Sequence, residues 1–173
     1  MLFESAKTIV HAFITSRVDC CHMVLAESPK NITDRLQRVM NAAARVVTGT
    51  QKFDRGLTCL LHSELHWLDV PQRVQYKLEV MVHRYLHGMA PQYLIDCCIP
   101  TLHIASCQRL RSATRHQLIV PRHRCSRFGC LAFSVAGPMV WNMLPGHLYD
   151  PSLSIGAFRS ALKTFLFTMH RDT

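Results

Sequence analysis

The stretch ITDRLQRVMNAAARVVTG, residues 32–49, decides the fold class. Leu36, Met40, Ala43 and Val47 follow one another at steps of four, three and four, the spacing that gathers apolar side chains on one side of an α-helix. Asn31 or Thr33 is the expected N-cap, and Gly49 is placed to terminate the helix in a left-handed conformation. Arg38 and Arg45 stand seven residues apart and therefore share a face, with Arg35 close beside them.

The same period extends outward in both directions. Residues 4–25 are apolar at helical spacing and stop before Ser28-Pro29. A third helical stretch is predicted from Leu57 to Trp67. Asp69 ahead of Pro71 suits the first turn of a fourth, whose buried stripe is Val74, Leu78, Met81, Val82 and Tyr85 and whose end is Gly88. A short helical turn is expected after Pro91. The character changes at Pro100, where arginine and histidine become dense and short β-like runs appear at 117–120 and 131–135. Gly137-Pro138 is expected to open a short helix through Leu144, and a polar turn with Pro151 and Ser154 to lead into a closing helix. That helix carries Ile155, Phe158, Leu162, Phe165, Leu166 and Met169 along one side. The expected fold is mainly α: a helical lobe over 1–99, then 100–173 as a basic irregular segment with a short β-hairpin and a closing C-terminal helix.

Charge divides at the same boundary. The chain of 173 residues has a net charge of +9, but residues 1–99 hold eleven Lys/Arg against nine Asp/Glu, and residues 100–173 hold nine against two. Between Pro100 and Tyr149 there is no acidic residue, while Arg109, Arg111, Arg115, Arg122, Arg124 and Arg127 all fall there. A field of this kind favours a polyanion as partner, and guanidinium groups, which pair bidentately with phosphate and stack on bases, suit a nucleic-acid backbone, RNA or DNA. Arg35, Arg38 and Arg45 form a second candidate contact set, offset in part by Asp34.

Other chemistry is poorly supported. Half the chain is apolar (49%) and 18% is charged, a folding composition. No apolar run approaches the ~18 residues of a membrane span, and Glu4, Lys7 and His11 interrupt any signal-peptide core. An intracellular protein, nuclear or cytoplasmic, is expected, with no membrane partner and with its eight cysteines mostly as free thiols. Cys97, Cys98, His103 and Cys107 suggest a zinc knuckle only superficially, because adjacent cysteines rarely take two corners of one tetrahedron. His123, Cys125 and Cys130 lack a fourth ligand, and Cys97 with His103 has no accompanying oxyanion-hole motif. No cofactor, metal or catalytic residue is expected. Trp67, Trp141, Phe133, Phe158 and Phe165 lie on apolar stripes and read as core, not as stacking platforms.

Seven stretches together resemble the region downstream of the polymerase core in jockey-like and chicken-repeat-like non-LTR retrotransposon reverse transcriptases. They are ITSRVDCC (14–21), LQRVMNAAARVVTGT (36–50), ELHWLDVPQRVQYKL (64–78), GMAPQYL (88–94), LRSATRHQLIVPRHR (110–124), FGCLAFSVAGPMVWNMLP (128–145) and FRSALKTFLF (158–167), in the family's order. The resemblance implies a thumb-like region and the stretch of chain beyond it, packing on a reverse transcriptase core. In that family the catalytic carboxylates sit upstream in an Asp-Asp motif. This sequence has no Asp-Asp pair, and two-metal phosphoryl transfer needs converging carboxylates, so no polymerase activity is expected. Cys107, Cys125, Cys130 and Cys59 stand where the resemblance implies arginine, and Cys20 where it implies tyrosine. The function expected is a non-catalytic RNA/DNA-binding accessory region. The alternative is a relic reading frame with no maintained activity, or a helical protein-interaction fragment prone to self-association.

Overall fold

A computed structural model describes residues 2–21, 25–26, 28–92, 98–104, 115–122, 133–150 and 152–171. Six helices are present among them: α1 (Leu2–Val10), α2 (Lys30–Thr48), α3 (Leu57–Ser63), α4 (Val70–Leu86), α5 (Phe133–Asn142) and α6 (Ile155–Arg171). No strand occurs among the described residues, and the mainly α expectation holds. The chain divides into two compact units, Met1–Val74 and Gln75–Thr173, with α4 supplying residues to both.

In the first unit, α1 runs on through a π-helical turn, His11–Thr15, and short helical turns to Cys21. Its Val10 and Ile14, with Val18, pack against the stripe read from the sequence: Met40, Ala43 and Val47 are buried on α2 and Leu36 partly so, and Ala44 joins them. Leu61, Leu65, Trp67 and Val70 complete that core. Gly49 ends α2 in the left-handed region at φ 70°, as the sequence predicts. The start differs. Pro29 occupies the cap position at φ −52°, no side chain caps it, and Asn31 and Thr33 lie inside the helix. Thr33 Oγ1 instead donates to the Lys30 carbonyl at 2.9 Å. Pro29 brings its φ already set to the cap, and its carbonyl accepts from the Ile32 amide at 2.9 Å, so the helix begins earlier than its polar residues indicate.

The third helix is shorter than expected, ending at Ser63 rather than Trp67. His66 takes φ 51°, and this left-handed residue turns the chain so that Leu65 and Trp67 are both buried. Beyond it α4 is fastened by side-chain amides. Gln72 Oε1 accepts from the Asp69 amide at 3.1 Å, the reciprocal half of a capping box. From α2, Gln37 accepts from the Val70 amide at 2.8 Å and donates to Asp69 Oδ1 at 2.9 Å. Gln37 thus satisfies an amide at the helix start that has no intrahelical partner. Gln37→Ala is expected to lower the stability of this unit by about 1–2 kcal/mol, read as an earlier urea midpoint; an unchanged midpoint would show that water replaces the amide at no cost.

The second unit packs α4, α5 and α6 around Leu78, Val82, Trp141, Leu148, Phe158, Leu162 and Leu166. The α4 stripe is wider than the sequence pattern. Val80, Glu79 and His83 are also buried, so this part of the helix is enclosed nearly all round. At Gly137 a Cβ would lie 3.2 Å from both Val82 and Phe133 side-chain atoms, which explains glycine at this close approach. The expected strand over 131–135 is corrected: residues 133–135 are the first turn of α5, and Pro138 lies within that helix instead of opening it. Phe133, Val135 and Ala136 are all buried, so tertiary packing holds this turn helical despite the proline. The other β-like run, 117–120, is extended. Among the described residues it meets 99–101 through one antiparallel bridge, Pro100 with Leu118.

The closing helix begins as predicted, with Ser154 Oγ accepting from the Ala157 amide at 3.2 Å. Phe158, Leu162 and Leu166 are fully buried, Phe165 is half-buried and Met169 is exposed, so the real stripe is narrower than the apolar spacing. Trp67, Trp141, Phe133 and Phe158 are core residues, in agreement with their sequence reading. The helical turn expected after Pro91 lies largely outside the described residues.

Candidate functional site

The arginine-rich region is described in part. Arg115 and Arg122 are both exposed, one at each end of the segment 115–122. Arg109, Arg111, Arg124 and Arg127 lie outside the described residues. The segment between the two arginines is held by specific bonds. Asn142, at the end of α5, uses its side-chain amide as a strand would: Leu118 N donates to Oδ1 at 2.8 Å and Nδ2 donates to the Leu118 carbonyl at 2.8 Å. On the other edge, Thr101 N donates to Gln117 O and Ile119 N to Ile99 O, each at 2.9 Å. Trp141 Nε1 donates to the His116 carbonyl at 3.2 Å. A short extended segment with both edges bonded is a rigid mount for the charges at its ends.

The second arginine set, in the other unit, divides. Arg35 and Arg38 are exposed on α2. Arg45 is half-buried, and its Nε is enclosed without a hydrogen-bond partner. The heptad spacing aligns Arg38 with Arg45 along the helix but does not bring the three guanidinium groups out together.

Sequence reasoning did not find a cavity of about 280 Å³ in the second unit. Trp141, Leu86 and Leu102 contribute apolar wall, and His87, His103, His116 and Asp150 contribute polar groups. These residues come from separate stretches of chain, so no spacing rule could have joined them. His116 takes a left-handed φ of 53°, uncommon for a residue with a side chain. Tyr149, also on the wall, donates its hydroxyl to the Trp141 carbonyl at 2.8 Å. Burial raises the Tyr149 phenol, and the guanidinium of Arg115 partly opposes that rise.

A buried titratable pair lies on α4, and one member, His83, also lines this cavity. His83 is 1% exposed and stacked between His87 and Phe158, with ring centroids 4.1 and 4.2 Å away. Neither ring nitrogen meets hydrogen-bond geometry. Burial, reinforced by His87 and partly opposed by the Leu153 backbone, lowers its pKa to about 4, so the ring is neutral at pH 7. One turn earlier, Glu79 is fully buried, and burial raises its pKa to about 8. Gln75 Nε2 donates to its Oε1 at 2.9 Å, while Oε2 has no partner. Both side chains are therefore uncharged near neutrality. They are part of a desolvated core, not an exposed acid–base pair.

Asp150 has the opposite character. It is exposed, and the Ser152 hydroxyl and amide donate to its Oδ1 at 2.7 and 2.9 Å. These bonds hold its carboxyl below the usual range. It is ionised at neutral pH, with Oδ2 left over as an acceptor.

Among the described residues no group of three or more His, Cys, Asp or Glu is placed to hold a metal ion. Cys97 and Cys107 of the sequence-level zinc pattern lie outside the described residues, and Cys98 is buried with its amide donating to Tyr85 Oη at 3.0 Å. No helix of the described residues is long and apolar enough to cross a membrane. Comparison with known proteins finds no matching family model, curated protein or solved structure.

Proposed function

We propose that this chain is a non-catalytic, nucleic-acid-binding accessory region of the kind found downstream of the polymerase core in non-LTR retrotransposon reverse transcriptases. The observation that carries this reading is the charge of the second half. Nine Lys/Arg stand against two acids there, with none of the acids between Pro100 and Tyr149, and the two described arginines of the basic segment both face solvent. Arg109, Arg111, Arg124 and Arg127 extend the same segment in sequence, and Arg35 and Arg38 are the exposed members of the second set. Contacts of this type grip the phosphate backbone and carry affinity rather than sequence information. The family resemblance supports a role in holding template RNA and target DNA beside a polymerase that supplies the catalytic carboxylates.

A salt titration of single-stranded RNA and DNA binding tests the proposal. If four to six arginines meet phosphates, log K falls against log salt with a slope of roughly −3 to −4. Arg115→Ala/Arg122→Ala is expected to weaken binding and make that slope shallower by about 1.4. Equal affinity and slope in parent and variant would remove the assignment of these two residues.

A second reading has its own observation. In the first unit Ile9, Phe13, Val39 and Val46 are between 48% and 71% exposed. Apolar groups of this size on a surface mark a protein contact, such as packing on a reverse transcriptase core or self-association. A sizing column separates the readings: a monomer that shifts with added RNA favours nucleic-acid binding, and RNA-insensitive oligomers favour the protein contact.

A further inference from the structure

The geometry points to the cavity walled by Trp141, Leu102 and His116 as a pocket for one nucleobase carrying an exocyclic amino group, which Asp150 reads. The inference rests on the nucleic-acid reading above and names a subsite within it.

The volume, about 280 Å³, falls just below the roughly 300–1,000 Å³ of small-molecule pockets. That is room for a flat ring system, not for a folded peptide. Aromatic residues Trp141, Tyr149 and His87 line it together with Leu86, Leu102 and Leu148, a composition suited to stacking. Base–aromatic stacking of this kind is insensitive to base identity, because every base has a π-face. Selectivity must then come from the polar rim.

An anion is a poor fit. Among the described residues no lysine or arginine lines the cavity, the buried His83 is neutral near pH 7, and the Asp150 carboxylate repels phosphate. The same carboxylate suits a base edge that donates. Ser152 fixes Oδ1 with two bonds, which orients the group and leaves Oδ2 to accept from an amino N–H. Cytosine, adenine and guanine carry such a donor; uracil presents a carbonyl oxygen in its place. The phosphate of the same nucleotide has its counter-charge at hand. Arg115 directly precedes His116 of the wall and is exposed, and its guanidinium is felt by the Tyr149 phenol. The left-handed backbone at His116 sets that residue at the cavity with its carbonyl fixed by Trp141. A strained conformation held by a specific bond is characteristic of functional positions.

Saturation-transfer NMR on the full chain with free cytidine and free uridine tests the pocket without phosphate contacts. Cytidine is expected to bind about tenfold more tightly than uridine, the worth of one charge-assisted hydrogen bond. Asp150→Asn keeps the acceptor that Ser152 uses but turns the other position into a donor, so it should cancel or reverse the preference. Leu102→Trp, at a half-exposed position, should fill the space and abolish both signals. An abasic ribose-phosphate hexanucleotide serves as the separate arm, since it reports the arginine grip alone. Salt-sensitive hexanucleotide binding together with equal affinity for the two nucleosides, or with no nucleoside binding, overturns the pocket and leaves the wider reading standing. Cytidine selectivity without hexanucleotide binding supports the pocket and overturns the arginine grip. Binding of N-acetyl-tryptophanamide in preference to either nucleoside overturns the base and assigns the cavity to a protein side chain.

Discussion

Glutamine in place of Glu79 should stabilise the second unit, by an amount that grows with pH. Glu79 is fully buried, with one oxygen bonded to Gln75 and the other unpartnered. Its pKa rises from 4.5 to about 8, so between those values the folded protein keeps a proton that the unfolded chain releases. Stability then falls by about 1.4 kcal/mol per pH unit through that window, and the cost is complete above pH 8. His83 acts with the opposite sign. Its folded pKa of about 4 lies below the ordinary 6.5, so folding requires the neutral ring. Its contribution is absent at low pH, grows as pH rises from about 4 to 6.5, and is complete above that. The two slopes oppose each other between 4.5 and 6.5 and leave a net loss between 6.5 and 8.

Urea midpoints measured from pH 5 to pH 9 check this arithmetic. The parent should be most stable near or below pH 6.5 and weaken toward pH 8, whereas Glu79→Gln should stay level across that interval. At pH 8 the variant should be more stable by several kcal/mol, about 4 if the whole window is expressed. Parallel profiles for the two proteins would mean that Glu79 is ionised in the fold and finds a partner.

Truncation of Phe158 is the other large effect. Its ring is 0% exposed, lies 4.2 Å from the His83 ring and 5.9 Å from Trp141, and sits where α6 meets the buried part of α4. Phe158→Ala removes that packing and leaves a void beside the buried His83 imidazole. The expected loss is about 3–5 kcal/mol. Phe158→Leu, which refills much of the space, should cost appreciably less. Amide hydrogen exchange should place the faster exchange at Val82, Tyr85 and Leu162. A loss below about 1 kcal/mol would mean that the surrounding side chains close over the gap.

The legible parts of this protein were those with a long local period. Leu36, Met40, Ala43 and Val47 announce α2 because the stripe runs over more than three turns, and Gly49 ends it because a left-handed residue favours glycine. Short patterns were ambiguous. Residues 131–135 alternate as a strand does, yet residues 133–135 are helical, because five residues cannot separate a strand from the first turn of a buried helix. Glu79 and His83 were passed over because charge and polarity ordinarily mark a solvent face. The run LEVMV, 78–82, held the contrary signal: a helix apolar nearly all round is a buried one. Of the binding residues, the arginines were visible as charge density. The cavity was invisible.

Sequence alone determined the class of fold and the sign of the field, since periodicity and net charge are properties of residue order and composition. It also set where the basic half begins, through the acid-free interval after Pro100. Tertiary structure decided which groups act together. Only folding brings His87, His103, His116 and Asp150 to one cavity, draws Arg45 inward while Arg35 and Arg38 stay in solvent, and leaves Glu79 and His83 without water. Proximity and desolvation are set by long-range packing, and no local pattern along a chain encodes either.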